Sequence, residues 1–433
     1  MAISYQSFKK RADIFSFEYL KCIIYLIDTN SENQILTKKL YTHLISASHL
    51  LEDFLDFHGA KNNRDWFFYR ELSATMRHLA LSAYSQKHIL NRLGFYEFKT
   101  DDKIFKKESC DTLLTIQNFL QITAPVILKQ AEKLGIFIPE IKYKSKHFPD
   151  IATGECLEHN IDNLDNKDQQ KKNIINIASD FLELIEKFEK FAFYEKYDKK
   201  QIKELVPLNV NEVEIRRFEM LLHNLQSAFD SYVIPSGYQS DKKLKQLRSH
   251  FSIVFHILQV MGRLLHFYER HLHNIEFKDV YKNVNEILNK LINPDILLDI
   301  AINYCLFYAW EFLSSGKKLT FEILDENINR SSIKVGIPQK RGFHTRPSLL
   351  IAKIVNHYGG QVKMLAGEGE FDASSVLDLQ WAGGKIKKEN IQQVIFKGDS
   401  RSLVDLKILA NINYGEDLIG KSIPLPKELS YLK

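Results

Sequence analysis

Apolar side chains recur at three- and four-residue spacing up to about residue 325, and from Ser331 that spacing gives way to alternation. A 3.6-residue period commits a segment to a helix with one buried face; a two-residue period commits it to a half-buried strand. The chain is therefore expected to be multidomain, an all-α N-terminal region followed by a small α+β unit. At 433 residues it also exceeds what one ordinary core holds, which points to two or three domains.

The helical runs are Ile35–Phe57, Trp66–Leu93, Leu113–Leu134, Ile174–Tyr194, Val213–Val233, Leu244–Leu272 and Ile296–Leu313. Gly59, Gly94 and Gly135 follow three of them, where a left-handed cap is expected. Pro207, Pro235 and Pro294 fall between runs. The stretch Tyr143–Gln170 loses the pattern and is rich in Asn, Asp and Lys, as a linker is. The chain thus divides into a first helical half (1–145), a linker (146–170), a second helical half (171–328), an α+β unit (331–415) and an extension (416–433). An internal duplication of the two halves is a further expectation. Ser46–Leu55 and Leu225–Val233 are each followed by a break and a long helix, and these helices carry Tyr84 with His88 and Tyr268 with His271.

Composition narrows the class. With 45% hydrophobic and 26% charged residues the chain reads as globular. No run reaches the roughly 20 apolar residues that a bilayer requires. Phe15–Ile27 is interrupted by Glu18 and Lys21, and Ala301–Leu313 is short and carries Glu311. The first residues lack the basic-then-apolar layout of a signal peptide. Cys22, Cys110, Cys156 and Cys305 are scattered without a CxxC pair, which fits a reducing compartment. A cytoplasmic location without membrane attachment is expected. From Ser331 onward there are 15 Lys and Arg against 10 Asp and Glu, so the whole net charge of +5 lies there and the rest is neutral. A basic appendage on a neutral body points to an acidic protein partner. Nucleic acid is the competing reading, but no basic run interleaved with aromatics supports it.

The helical region holds 13 of the 15 histidines. No Glu-x-x-His pair of the kind that builds di-iron bundles is present. His49-Leu50-Leu51-Glu52 runs in the reverse order, and Glu269, His271 and His273 do not share a helical face. His78, His88, His250, His256 and His266 read as half-buried helix residues, so neither a metal nor a cofactor is expected. His49 or His223 as a phosphohistidine lacks the Gly or Lys neighbours that would hold a phosphate. The aromatic clusters Trp66-Phe67-Phe68-Tyr69 and Phe188–Tyr197 read as core or as an oligomer seam.

After Ser331 the pattern predicts a strand at Ile333–Ile337, a helix from Thr345 to about Tyr358 closed by Gly359-Gly360, and strands at Gln361–Leu365 and Gly369–Asp372. A short helix at Ser375–Trp381 ends in Gly383-Gly384, and a strand at Ile391–Phe396 and a helix at Ser402–Asn411 complete the set. The order β-α-β-β-α-β-α is that of an open-faced sandwich with its helices on one side. Between the first strand and helix stands Gly342-Phe343-His344-Thr345-Arg346-Pro347. Pro347 suits the first turn of a helix, which puts His344 at the N-terminal edge, where unpaired N–H groups and the dipole favour an anion. Arg346 adds donors spaced for phosphate oxygens, and Gly342 allows a sharp turn. A neutral imidazole nitrogen there is a competent nucleophile near pH 7. On these grounds a phosphoryl acceptor and a plain capping-region histidine beside a surface arginine are both open.

Residues 333 to about 415 resemble HPr, the histidine phosphocarrier of the bacterial phosphoenolpyruvate:sugar phosphotransferase system. The Gly-x-His-x-Arg-Pro motif is complete at 342–347, Ile351, Ala352 and Val355 follow at family spacing, and a serine opens the second helix at Ser375. The resemblance covers about a fifth of the chain. It implies that His344 accepts a phosphoryl group from an Enzyme I-like donor, with Arg346 stabilising the phosphate and Gly342, Thr345 and Pro347 shaping the loop. Ser375 is implied as the target of a serine kinase, and Thr345, Leu349, Val376, Leu377 and Trp381 as the docking face. The downstream acceptor or regulated target is left open.

Departures bear on this. Arg341 stands where the family often has a small polar residue, and Asp378 places a negative charge on the docking helix. Ser375 also reads simply as a helix N-cap. The tail from Gly415 exceeds a standard HPr, either as a strap packed back on the body or as a loose end. The whole reads as a phosphorylation-dependent regulatory protein signalling to or through its helical region. Two alternatives are an interaction module that keeps the fold without being phosphorylated, and a helical enzyme gated by its C-terminal unit.

Overall fold

The computed structural model describes residues 5–32, 36–96, 103–151, 157–158, 167–191, 193, 195–233, 241–273, 279–359, 361–417 and 419–432. Cys156, Pro235, Gly360 and much of the expected linker lie outside the described residues. The chain is mostly helical, with one four-stranded antiparallel sheet. It forms two compact units, each assembled from several stretches. The first comprises Met1–Asn160, Phe188–Asn224 and Arg248–Ser314; the second comprises Ile161–Lys187, Leu225–Leu247 and Ser315–Lys433.

In the first unit, α1 (Tyr5–Glu32), α2 (Lys38–Phe57), α3 (Phe67–Arg92) and α4 (Lys103–Lys133) pack as a group, α1 on α2 and α4, α3 between α2 and α4. Leu40, Leu44, Leu55, Leu72, Met76, Leu120 and Ile127 are buried at helical spacing, which is the amphipathic stripe the sequence carries. The full length of α1 was not apparent from the sequence, where only Phe15–Ile27 stands out as apolar. Gly59 and Gly135 are left-handed, as a helix end asks, whereas Gly94 lies in a short 3-10 turn at Leu93–Phe95. A buried ion network crosses this unit: Arg70 bonds Glu52 and Glu71 at 2.8 Å and Asp56 at 2.7 Å.

The remaining helices are α5 (Lys167–Phe188), α6 (Lys199–Leu205), α7 (Glu212–Tyr232), α8 (Lys242–Phe267), α9 (Asp279–Leu291), α10 (Pro294–Asp299) and α11 (Phe307–Asn327). Short π-helical segments at Tyr268–Leu272 and Ile300–Leu306 continue α8 and join α10 to α11. By length and composition alone the continuous stretches Lys242–Leu272 and Pro294–Asn327 are apolar enough to cross a bilayer, with windows of mean hydropathy 1.2 and 1.5. Of these windows 78% and 67% is buried inside the protein, as in core helices.

In the second unit, β1 (Arg330–Gly336), β2 (Val362–Ala366), β3 (Gly369–Asp372) and β4 (Gln393–Asp399) form a sheet in the order β1-β4-β2-β3. Val335 pairs with Val394, and Phe396 lies opposite both Ile333 and Met364. Burial alternates along β2 and β4, so one face is covered. The cover comes from α12 (Thr345–His357), α13 (Val376–Lys388) and α14 (Ser400–Asn411), through Ile351, Val355, Leu379, Ile386, Leu403 and Leu406. The bounds of β1, β4 and α14 shift by a few residues from expectation, and the largest difference is in α13, which continues through Gly383-Gly384 to Lys388. A Cβ at Gly383 would lie 3.2 Å from the Phe343 carbonyl oxygen, so this glycine permits close packing and does not end the helix. Left-handed Asn390, just beyond Lys388, does that instead.

Two features place further segments against this core. Leu429 and Leu432 of the tail are buried in it, and Lys353 donates to the Leu432 carbonyl at 3.0 Å. Ile175, Ala178 and Leu182 of α5 pack with Leu324 and Ile328, and Ser179 Oγ donates to the Gly359 carbonyl at 2.5 Å.

Candidate functional site

The loop before α12 shapes the site. Gly342 is left-handed (φ +61°), a conformation that favours glycine, and it lets the chain turn sharply enough for the His344 N–H to donate to the Gly342 carbonyl at 2.8 Å. Phe343 is buried in the core beside Tyr414, with ring centroids 5.4 Å apart. This anchors the residue before His344 while leaving the imidazole half-exposed. His344 is the N-cap of α12 with extended backbone, its carbonyl accepts from the Ser348 N–H at 3.1 Å, and its own side chain does not cap the helix. The first-turn N–H groups, Pro347 having none, are left for solvent or an anion.

A carboxylate meets the ring. His344 Nε2 lies 3.1 Å from both oxygens of Glu416, which is buried, and Arg346 Nη1 stands 3.6 Å from one of them. Glu416 was missed by sequence reasoning because it is 72 positions from His344 and falls at the first residue of the assigned extension. No local signal marks it. Its place is set by the turn after α14, where the Glu416 N–H donates to the Asn413 carbonyl at 3.3 Å and Asn413 Nδ2 donates to the Glu416 carbonyl at 3.1 Å. A carboxylate accepts hydrogen bonds, which favours a hydrogen on Nε2, and in the neutral imidazole the lone pair is then on Nδ1.

The other expected residues are distributed as follows. Thr345 Oγ1 accepts from Gln380 Nε2 at 3.0 Å, which ties the start of α12 to α13. Leu377 and Trp381, one turn apart on α13, are 65% and 71% exposed, and Leu349 on α12 is 44% exposed. All three are exposed apolar side chains on the two helices that Thr345 and Gln380 join. Val376, expected on the same face, instead packs against the core. Ser375 is the N-cap of α13, its Oγ accepting from the Asp378 N–H at 3.2 Å, and Asp378 also accepts from the Asp372 N–H at 3.4 Å. Asp378 is thus engaged in the turn before the helix.

Elsewhere, within the first unit, His78, His266 and His271 converge although the sequence spacing kept them apart. Comparison with known proteins finds no match: no family model, no curated protein and no solved structure matches the chain.

Proposed function

We propose that the chain is an HPr-like phosphocarrier and regulatory protein that accepts a phosphoryl group on His344. The observation that carries this reading is a half-exposed imidazole at the N-terminus of α12, with Glu416 against its Nε2 and Arg346 beside it. Nδ1 is then the nucleophile. The helix N-terminus and the Arg346 guanidinium offset the charge of the phosphate that forms. The element order β-α-β-β-α-β-α and the exposed Leu349, Leu377 and Trp381 support an HPr-like unit with a docking face for an acidic Enzyme I-like donor. Such transfer takes place in the cytoplasm, and the phosphorylation state would be passed to or through the helical region.

Incubation with phosphoenolpyruvate and Enzyme I from the same host should give acid-labile, base-stable label on the chain. His344→Ala should abolish it, and Arg346→Ala should slow it by about tenfold or more, since a charge-assisted phosphate contact is worth ~1.5–3 kcal/mol. Label that persists in His344→Ala refutes the assignment.

A further inference from the structure

We propose that His78, His266 and His271 bind one divalent transition-metal ion of the zinc class, with a fourth coordination position left open. The sequence argues against such a cluster, because positions five apart in an α-helix point about 140° away from each other. Between His266 and His271 the helix widens. Tyr268–Leu272 is a π-helical segment, closed by the His273 N–H donating to the Tyr268 carbonyl at 2.9 Å. A turn bonded from i to i+5 stacks residues five apart, and such turns recur at functional sites. His78 comes from α3. Its ring lies 4.2 Å from that of His266 and 5.6 Å from that of His271, centroid to centroid. One ring nitrogen from each histidine lies within 4.8 Å of the other two.

Two of the rings are held from behind by carboxylates. His266 Nδ1 lies 2.7 Å from Glu212 Oε1, and His271 Nδ1 lies 2.7 Å from Oε2 of the buried Glu71. Both imidazoles thus keep hydrogen on Nδ1 and the lone pair on Nε2, the way metal-ligating histidines are oriented by their outer partners. The carboxylates are themselves fixed, Glu71 by Arg70 at 2.8 Å and Glu212 by Arg216 at 2.9 Å. His78 is buried, and its Nδ1 has no hydrogen-bond partner.

Most of the surrounding cations are paired with carboxylates. Arg77 pairs with Glu52, and Arg216 and Arg270 pair with Glu212, while the charge of Arg263 is disfavoured by burial, Arg216 and Arg77 and only partly eased by Glu219. Arg77 Nη2 also approaches His78 Nε2 at 3.2 Å. A metal taking that nitrogen displaces one contact of a guanidinium that keeps its ion pair. Three imidazoles without thiolate suit zinc, iron(II) or cobalt(II) over calcium or magnesium. Zn–N bonds of about 2.0–2.1 Å require the rings to close by on the order of 1 Å. His266 is half-exposed and gives an ion its way in.

The test uses the full chain, stripped with a chelator and titrated with Zn²⁺ and with Co²⁺. The proposal expects one equivalent of either ion per chain, and a visible Co²⁺ absorption of a low-coordinate nitrogen site. His266→Ala should abolish both, Glu212→Gln should weaken Zn²⁺ binding by about 10–100-fold, and His88→Ala should leave it unchanged. If His266→Ala does not fold, the Co²⁺ spectrum of the wild type and the Glu212→Gln affinity decide. No stoichiometric uptake, or equal uptake by a folded His266→Ala, overturns the proposal. So does saturable binding of inorganic phosphate by the stripped chain that His266→Ala abolishes, because the cluster is then an anion site.

Discussion

His88 and His256 show how a single side chain can carry a pH dependence. Their rings lie 4.1 Å apart, and Lys38 Nζ stands 2.9 Å from His88 Nδ1. Burial, then the neighbouring His256, Lys38 and Arg92, push the His88 pKa down to about 3. Burial, with Lys38, Arg248 and Arg92, pushes that of His256 down to about 4, against the hydrogen bond that its Nδ1 donates to Gln259 Oε1. Between those values and the ordinary histidine value near 6.5, the unfolded chain binds more protons than the folded one, so stability falls as pH falls. Partial solvent access to both rings reduces the effect to the order of 1–2 kcal/mol. Thermal melts from pH 7 to pH 4.5 should show a falling Tm that flattens in His88→Gln. An identical slope in that variant would show that other groups govern acid stability. Placement was legible where it is local: Pro347 in the first turn sets His344 at the N-terminal edge of α12, as the sequence suggests. That of Glu416, Glu71 and Glu212 was not, because each acts on a histidine from a distant part of the sequence.

Elements were legible to the extent that periodicity defines them. Alternation marked β1 and β4, and three-four spacing marked α2, α3 and α7. The misreadings have physical causes. Gly383-Gly384 looks like a helix end but sits where α13 passes close to Phe343. The π-helical segment after α8 has no compositional mark, yet it decides which histidines share a face. Ser375 makes a prediction at this scale. As N-cap of α13 it stabilises that helix by about 1 kcal/mol, a role that aspartate also fills. Ser375→Asp should therefore keep the melting temperature while slowing the proposed phosphoryl transfer to His344, more strongly at low salt, where repulsion of the proposed acidic donor is least screened. Ser375→Ala should lower Tm with little effect on transfer. Equal slowing by both variants would mean that the cap alone matters and would remove the regulatory reading.

At the scale of the whole molecule, the sequence suggests consecutive blocks, whereas the two compact units are built from interleaved stretches. Hydrophobic spacing tells a helix which face to bury but not which partner to bury it against, so α5 could not be assigned to the sheet-containing unit in advance. The core of the sheet is nonetheless contiguous in sequence, every buried member lying between Val335 and Leu432. A fragment spanning 329–433 should fold alone, with strand-containing circular dichroism and a cooperative melt; a fragment without a cooperative transition would show that α5 and α11 are indispensable to it. The position of Glu416 bears on the order of assembly. The His344 ring acquires its acceptor only once α14 and the turn after it have formed, so a nascent or partly folded chain presents an imidazole free to rotate and to carry its hydrogen on either nitrogen. On the phosphocarrier reading proposed above, chemical readiness then arrives last, as a by-product of finishing the fold.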